Sequence, residues 1–159
     1  LGRRLEWPDN YFTLTNSLSF LQYKYSNYFG STTLPQIGTT NEIMFNTTLS
    51  RNSIDNPMYP ASGSTISVSL SLTPPYSLWR DPAYYDDIDT RYKWTELYKW
   101  MLDFKYYIKL IGSTKPDGRS LVIETKAHFG FIGTYNKELG PGPFQRFMLG
   151  GDGLAGGFN

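Results

Sequence analysis

The chain contains no cysteine and a single histidine, His128, among its 159 residues. Disulfide frameworks, thiolate metal sites and histidine-cluster metal sites are therefore excluded. Charged residues make up only 18% and the formal net charge is +1, so there is no electrostatic reason to expect nucleic-acid binding. No stretch reaches the roughly 20 apolar residues of a transmembrane helix. Membrane crossing by β-strands stays open, because such strands are short and alternate in polarity.

Aromatic residues make up 17% of the chain, and serine and threonine are abundant, a mixture that favours strands over helices. The clearest strand covers residues 64–73, where one side is aliphatic and the other carries hydroxyl groups. The two alternating sets are Ile66, Val68, Leu70 and Leu72 against Ser67, Ser69 and Ser71. A period of two predicts a strand with one apolar and one polar face. In a membrane barrel, the aliphatic set would face lipid and the serines the lumen.

Four further segments alternate in a similar way, at residues 11–27, 41–49, 94–110 and 120–135. Asn16 interrupts the apolar side of the first segment, and Glu96 interrupts that of the third. The last two exceed the roughly 9–11 residues with which a barrel strand crosses a bilayer. Aromatic residues crowd the strand ends, as in an interfacial girdle. The expected class is all-β, with about five antiparallel strands. Periodicity alone fits a membrane barrel and a soluble β-sandwich or lipocalin-like barrel equally.

The connections alternate between long and compact. Residues 29–40, 74–93 and those after Asn136 are long, whereas residues 51–63 and 112–118 are compact turns. Outer-membrane barrels have long external loops and short periplasmic turns, so residues 74–93 are expected outside and residues 112–118 in the periplasm. Leu1 is not an initiator methionine, and the chain stops inside a glycine-rich run, so we expect a fragment of a longer protein.

Few residues suggest chemistry. Asp81, Asp86, Asp87 and Asp89 could offer oxygen ligands to calcium, but they lack the spacing of an EF-hand, and a solvated loop is the preferred interpretation. His128 lies on the polar side of its strand, where an ordinary lumen-facing residue is favoured over a proton switch. No nucleophile elbow or phosphate-binding loop is present. We therefore expect no enzymatic activity, no cofactor and no metal.

Two motifs resemble the BamA family of outer-membrane protein assembly barrels. Residues 48–64 are similar to the family's Thr/Ser-Arg-Asn-Ser strand end, followed by a Tyr/Phe-Pro-x-x-Gly turn. Residues 143–151 are similar to the Pro-Phe-x-x-x-Phe-x-x-Gly-Gly lead into external loop six. A weaker likeness, to Bacteroidetes members, lies in residues 72–79, 93–94 and 98–100. The first motif rests on Arg51, Asn52, Tyr59, Pro60 and Gly63, and the expected loop-six anchor on Phe144, Arg146, Gly150 and Gly151.

The resemblance implies that residues 1–159 are strands seven to eleven of a sixteen-stranded transmembrane antiparallel β-barrel, ending inside loop six. It implies an integral protein of a Gram-negative outer membrane that folds and inserts other barrel proteins. Its partners would be outer-membrane lipids, unfolded outer-membrane protein clients and accessory assembly-complex lipoproteins. The family's Arg-Gly-Phe/Tyr motif is not matched, because Gly156 stands where the arginine would precede Gly157 and Phe158. Either that arginine is absent, or the loop carries an insertion and the motif lies beyond Asn159; the second interpretation is favoured. The alternatives are a secretion or translocation pore of the same superfamily and a soluble all-β binding module.

Overall fold

A computed structural model of the chain describes residues 1–26, 37–87, 89–112 and 119–136, together with Gly140, Gln145 and Phe147. A six-stranded antiparallel sheet runs through them, and strands adjacent in sequence are adjacent in the sheet. Two short 3-10 helices, Tyr76–Leu78 and Pro82–Tyr85, lie between the fourth and fifth strands. No helix in the described part of the chain is long and apolar enough to cross a membrane. The strands are β1 (Gly2–Arg4), β2 (Phe12–Ser26), β3 (Ile37–Asn52), β4 (Gly63–Leu72), β5 (Tyr98–Gly112) and β6 (Ser120–Gly133).

The predicted all-β antiparallel architecture is confirmed, with corrections at the strand ends. β1 was not predicted, because three residues are too few to show alternation, yet Gly2 pairs with Thr15 of β2. β3 begins at Ile37 rather than at residue 41, so residues 37–40 belong to a strand and not to the predicted loop. Gly38 weakens the strand signal there, since an isolated glycine commonly marks an interruption. Residues 29–36 of that loop lie outside the described part.

The strand predicted at residues 94–110 begins only at Tyr98. Ahead of it, Lys93–Thr95 pair with β3 instead, because the backbone N–H of Asn41 donates to Lys93 O (2.8 Å) and that of Thr95 donates to Asn41 O (3.0 Å). These bonds form an isolated parallel bridge between Asn41 and Trp94. Glu96 therefore precedes β5 and does not interrupt it.

The sheet exposes the large side chains of its apolar face. In β4, Val68 and Leu70 are 43% and 40% exposed, whereas Ser71 is 8% exposed. Among the described residues only Met44, Tyr85 and Leu97 are buried hydrophobics. A water-soluble fold hides its apolar face, so this polarity is inverted. Other exposed apolar side chains on the strands include Leu18, Phe20, Phe45, Leu49, Trp100, Tyr106, Ile108, Leu110, Leu121, Ile123, Phe129 and Phe131.

Polar residues on the apolar side are paired across β2 and β3. The Thr47 hydroxyl donates to Asn16 Oδ1 at 2.9 Å, and the Gln22 amide donates to Asn41 Oδ1 at 2.9 Å. Both pairs satisfy polar atoms that would otherwise face an apolar medium, where an unmade hydrogen bond is costly. The hydrogen bond to Thr47 therefore lowers the cost of having Asn16 on the apolar face.

Two compact units alternate along the chain. The first consists of Leu1–Asn16, Thr47–Ser69 and Met101–Gly130, and the second of Ser17–Asn46, Leu70–Trp100 and the described residues from Phe131 onward. The first unit contains the 51–63 turn. The second unit contains the two 3-10 helices and the residues that contact Gln145 and Phe147.

In the second unit, two tyrosines lie over glycines of the neighbouring strand. A Cβ atom at Gly38 would fall 2.9 Å from Cε2 of Tyr25, and one at Gly133 would fall 2.8 Å from Cε2 of Tyr98. A side chain at either position would displace the ring, so each tyrosine packs in the space that the glycine beneath it leaves open. Tyr98 also contacts the rings of Phe131 and Tyr135, at centroid distances of 6.1 and 5.5 Å. An aromatic cluster therefore marks the place where β5 begins and β6 ends.

Candidate functional site

The candidate site lies on the polar face of the second unit and is centred on Glu42. Alternation along β3 puts Glu42 and Met44 on one side, and Ile43 and Phe45 on the other. Glu42 is only 1% exposed, and Met44 is buried next to it. A buried carboxylate needs partners to offset the loss of its hydration. The position of Glu42 therefore calls for polar groups above the sheet.

Those groups come from the C-terminal part of the chain. The side-chain amide of Gln145 donates to Glu42 Oε2 at 2.7 Å, and Lys99 Nζ lies 4.7 Å from the ring centroid of Phe147. A hydrogen bond to a charged group contributes about 1.5–3 kcal/mol, and a cation–π contact about 0.5–2 kcal/mol. We call Glu42, Lys99, Gln145 and Phe147 the inner seat. Among the described residues, Glu42 Oε1 has no hydrogen-bond partner.

The predicted loop-six anchor, Phe144, Arg146, Gly150 and Gly151, lies outside the described residues. The structure instead brings the alternate positions, Gln145 and Phe147, to the polar face. In the sequence, Glu42 and Lys99 lie on the polar sides of alternating segments, and nothing local singles them out. A solvated charged residue on a polar strand face would show the same alternating pattern. Only the contact between residues 42 and 145, 103 positions apart, distinguishes the seat.

Arg51, from the motif that resembles the BamA family, ties two turns of the first unit together. Its Nε donates to Asp9 Oδ2 at 2.9 Å, and its Nη1 donates to Ser53 Oγ at 3.0 Å. The guanidinium also lies over the rings of Tyr11 and Phe12, at 5.5 and 5.9 Å from their centroids. These contacts use both the charge and the planar shape of arginine, which lysine would not reproduce.

The turn after Arg51 is organised by Asp55, which the sequence reasoning did not identify. The backbone N–H groups of Ala61 and Ser62 donate to Asp55 Oδ1 at 3.0 and 3.2 Å. These bonds hold the pKa of the Asp55 carboxyl below its usual value of 3.8. The available signal was Asp-Asn before Pro57, a combination typical of turns closed by a side chain.

The other motif residues of this turn have distinct places. Asn52 Oδ1 accepts the backbone N–H of Ile54 at 3.2 Å, while Tyr59 is exposed and Pro60 half-buried. Gly63 has φ +111°, in the left-handed region that favours glycine. A Cβ atom there would also lie 2.8 Å from the Ile54 Cα. Gly63 is thus required by backbone geometry.

In the first unit, the polar sides of β5 and β6 form a ladder of side-chain contacts. His128 Nδ1 is bonded to an Asp103 carboxylate oxygen, and the Tyr107 hydroxyl donates to Glu124 Oε1 at 2.6 Å. Lys126 lies 3.2 Å from the same carboxylate. His128 therefore lies on the polar side, as the alternation predicted, with an acidic partner across the strand pair.

The acidic segment before β5 uses its carboxylates for local capping. Asp81 Oδ1 accepts the backbone N–H of Ala83 at 3.0 Å, and Asp87 Oδ1 accepts that of Asp89 at 3.1 Å. Within the described residues, no group of three or more acidic or histidine side chains is placed to hold a metal ion. Hydrogen bonds from nearby backbone N–H groups to Asp side chains are typical of ordered turns.

Comparison with known protein families identifies the superfamily of this chain. The profile of the Omp85 superfamily domain matches residues 1–159. The chain belongs to the Omp85 superfamily. This family acts in the insertion or translocation of proteins at outer membranes. Comparisons with curated proteins and with solved structures found no match.

Omp85 membership agrees with the polarity of the sheet. A family typical of outer membranes needs strands that present apolar side chains to lipid and polar side chains to the interior. The alternation in β4 and the exposed apolar residues of β5 and β6 meet that requirement. The inner seat of the Omp85 domain lies on the polar side and consists of contacts that position a segment of chain.

Proposed function

We propose that this Omp85 chain is part of a BamA-like barrel that folds other β-barrel proteins and inserts them into the outer membrane of a Gram-negative bacterium. The inverted polarity of the sheet supports this proposal most directly. An exposed face of leucine, isoleucine and phenylalanine on long strands is stable where lipid, not water, covers it. That same face argues against the soluble binding module.

Strand length supports a bilayer crossing. On the apolar side of β5, Trp100 and Leu110 are ten residues apart. Ten residues rise about 33 Å, and a tilt of about 40° reduces this to about 25 Å along the membrane normal, equal to the height of the apolar band of an outer-membrane barrel. Trp100 stacks on Phe131 of the aromatic cluster, with the ring centroids 6.1 Å apart, and aromatic residues at one end of the span are expected for an interfacial girdle.

In the proposed insertase, the inner seat holds the root of loop six against the barrel wall. The hydrogen bond from Gln145 to Glu42 and the contact of Phe147 with Lys99 attach two positions of that root to β3 and β5. The resemblance to BamA implies that unfolded clients enter at a seam elsewhere in the barrel, with accessory lipoproteins nearby. If the inner seat keeps the root of loop six in place, the lumen of the barrel would keep a constant shape while a client is inserted.

The second candidate is a secretion or translocation pore of the same superfamily. The hydroxyl groups along β4 and the charged ladder of β5 and β6 would also suit a hydrated path for an unfolded chain. The two functions differ in the fate of the substrate. An insertase leaves it folded in the membrane, whereas a pore releases it on the far side.

The test uses the full-length protein in phospholipid vesicles, with an unfolded outer-membrane barrel protein added from urea. We expect faster appearance of the folded, heat-modifiable client than in vesicles without the protein. Client delivered into the vesicle interior, with no gain in folding rate, would instead identify a translocation pore.

Two substitutions test the inner seat in the same assay. Glu42→Leu removes the acceptor for Gln145 and is expected to slow client folding, whereas Glu42→Gln keeps an acceptor oxygen and should retain most of the rate. Glu124→Leu is the matched control, because it makes the same change to a carboxylate on the polar face of the first unit. If Glu42→Leu slows client folding no more than Glu124→Leu does, the seat has no specific part in the activity.

A further inference from the structure

The segment between β4 and β5 holds a compact aromatic group around one arginine. The Arg80 guanidinium lies over the rings of Tyr76, Tyr84 and Trp94, at 4.7, 4.8 and 6.0 Å from their centroids. The Tyr76 ring also contacts Trp94 at 5.4 Å and Trp79 at 6.4 Å. We call Arg80, Tyr76, Tyr84 and Trp94 the rim cluster. Among the described residues Arg80 makes no salt bridge, so the rings provide its main environment.

Glu96 holds the rim cluster in place. Its carboxylate accepts the backbone N–H of Ser77 at 2.9 Å and the hydroxyl of Tyr85. Burial, and then the hydrogen bond to Glu96, raise the pKa of Tyr85 above its ordinary value. On the other side, Arg91 Nε donates to the Tyr85 carbonyl at 3.1 Å. Each of the two 3-10 helices is therefore held by at least one hydrogen bond to a residue outside it.

The bridge between Asn41 and Trp94 tells which face of the sheet the rim cluster occupies. Paired residues on adjacent strands point their side chains to the same side. Asn41 shares its side with Ile43 and Phe45, since alternate residues of β3 point the same way. Trp94 and the rings packed on it therefore lie on the apolar face, at its edge.

Two large apolar side chains next to the rim cluster are left uncovered. Leu78 is 75% exposed and Trp79 is 65% exposed, although the segment is held by Glu96. Trp79 packs on Tyr76, whose ring contacts Trp94 on the apolar face, and the same unit exposes Phe45 and Leu70 on that face. Ordered, uncovered apolar groups that continue an apolar face indicate a contact surface.

We propose that Leu78, Trp79 and the rim cluster form an interfacial anchor that seats in the headgroup region of the bilayer. Leu78 and Trp79 enter the boundary between headgroups and acyl chains, and Arg80 lies at the depth of the anionic phosphate groups. This inference rests on the proposed function, because it requires the apolar face to be lipid-covered.

The choice of lipid as the occupant follows from the composition and continuity of the surface. Tryptophan, tyrosine and a long basic side chain are the residues that favour the membrane–water interface. The same unit carries the Tyr98, Trp100, Phe131 and Tyr135 rings at the ends of β5 and β6. The anchor would extend that aromatic belt from the strands onto the connecting segment.

The experiment measures depth in the membrane with spin labels on the full-length protein in phosphatidylcholine–phosphatidylglycerol vesicles. This chain has no cysteine, and any cysteine elsewhere in the full-length protein is first replaced by serine. Single cysteines are then placed at Leu78, at Asp86 in the same segment and at Leu70 on the apolar face. Accessibility to oxygen, which partitions into lipid, is compared with accessibility to a water-soluble nickel chelate. Heat-modifiable migration on gels verifies that each variant is folded.

We expect the label at position 78 to have a depth between the water-exposed value of position 86 and the deep value of position 70. In an Arg80→Ala background, position 78 should shift toward the value of position 86. The anchor is refuted if position 78 is as open to nickel as position 86 while position 70 stays deep. It is also refuted if position 78 is shielded from both reagents, which would reveal a protein partner. A water-exposed value at position 70 would instead overturn the proposed function.

Discussion

The orientation of β4 can be tested with one charge placed on either face. Val68 lies four residues from Leu72, the last residue of β4, which is about 13 Å along the strand. A tilt of about 40° makes this about 10 Å of depth in an apolar band about 25 Å high, so Val68 lies close to the midplane. Val68 is exposed on the apolar face, and the half-buried Ser67 next to it points to the polar face.

At that depth an arginine on the lipid side destabilises a barrel by about 2–4 kcal/mol, and the penalty falls to about 0–1 kcal/mol near the interface. We expect Val68→Arg to lie in the upper range, Leu70→Arg to be milder because it is nearer the strand end, and Ser67→Arg to change little. The free energy of unfolding would be measured by urea titration of the full-length protein in vesicles, with heat-modifiable migration as the readout. Equal losses for Val68→Arg and Ser67→Arg would refute the assignment of faces.

Three further predictions concern the turns. Gly63→Ala should lower the unfolding free energy by roughly 1–3 kcal/mol, because φ is +111° and strained backbone has a penalty of that order; urea titration measures it. The lowered pKa of Asp55 stabilises the fold above pH 3.8, and this contribution should disappear as the pH falls through the folded value, which urea midpoints at neutral and acid pH would detect. On intact cells, an impermeant thiol reagent should label a cysteine at Asp86 and leave one at Asp117 unlabelled.

Each of the three has its own control. Gly2→Ala should be tolerated, since a Cβ atom there meets nothing closer than 3.7 Å, and a loss as large as that of Gly63→Ala would contradict the strain argument. Asp55→Asn should show a smaller drop in its urea midpoint between neutral and acid pH than the unchanged protein; an identical drop would remove Asp55 from the account. Labelling at position 117 but not at 86 would reverse the topology.

The two faces of the sheet were predictable because alternation is a local property. In β4 the four aliphatic residues and three serines determine the faces whatever the rest of the chain does. The start of β5 was not predictable in this way. Glu96 and Leu97 break the alternation by one position each, which alone does not end a strand. The start of β5 depends on Asn41, which offers backbone partners to Lys93 and Thr95, and on Glu96, which holds the preceding segment. Local periodicity contains no information about either contact.

The inner seat was hidden for a similar reason. Glu42 and Lys99 look like ordinary residues of a polar face, and their importance arises only when Gln145 and Phe147 approach. By contrast, Arg51 and Gly63 could be singled out, because a short motif contains both the residues and the turn that uses them. Their contacts within the turn span few positions, so the pattern and the structure coincide there.

The tyrosine rings over Gly38 and Gly133 have a consequence for how the strands find their partners. An alternating pattern is a degenerate code, because a slip of two residues restores every side chain to its correct face. A tyrosine ring that packs over a glycine reduces that degeneracy, because a larger residue beneath it would displace the ring. If β2 slipped by two residues against β3, Tyr25 would meet a position with a side chain, and the same holds for Tyr98 against β6. These two ring–glycine pairs thus favour the observed strand register over the registers that are shifted by two residues.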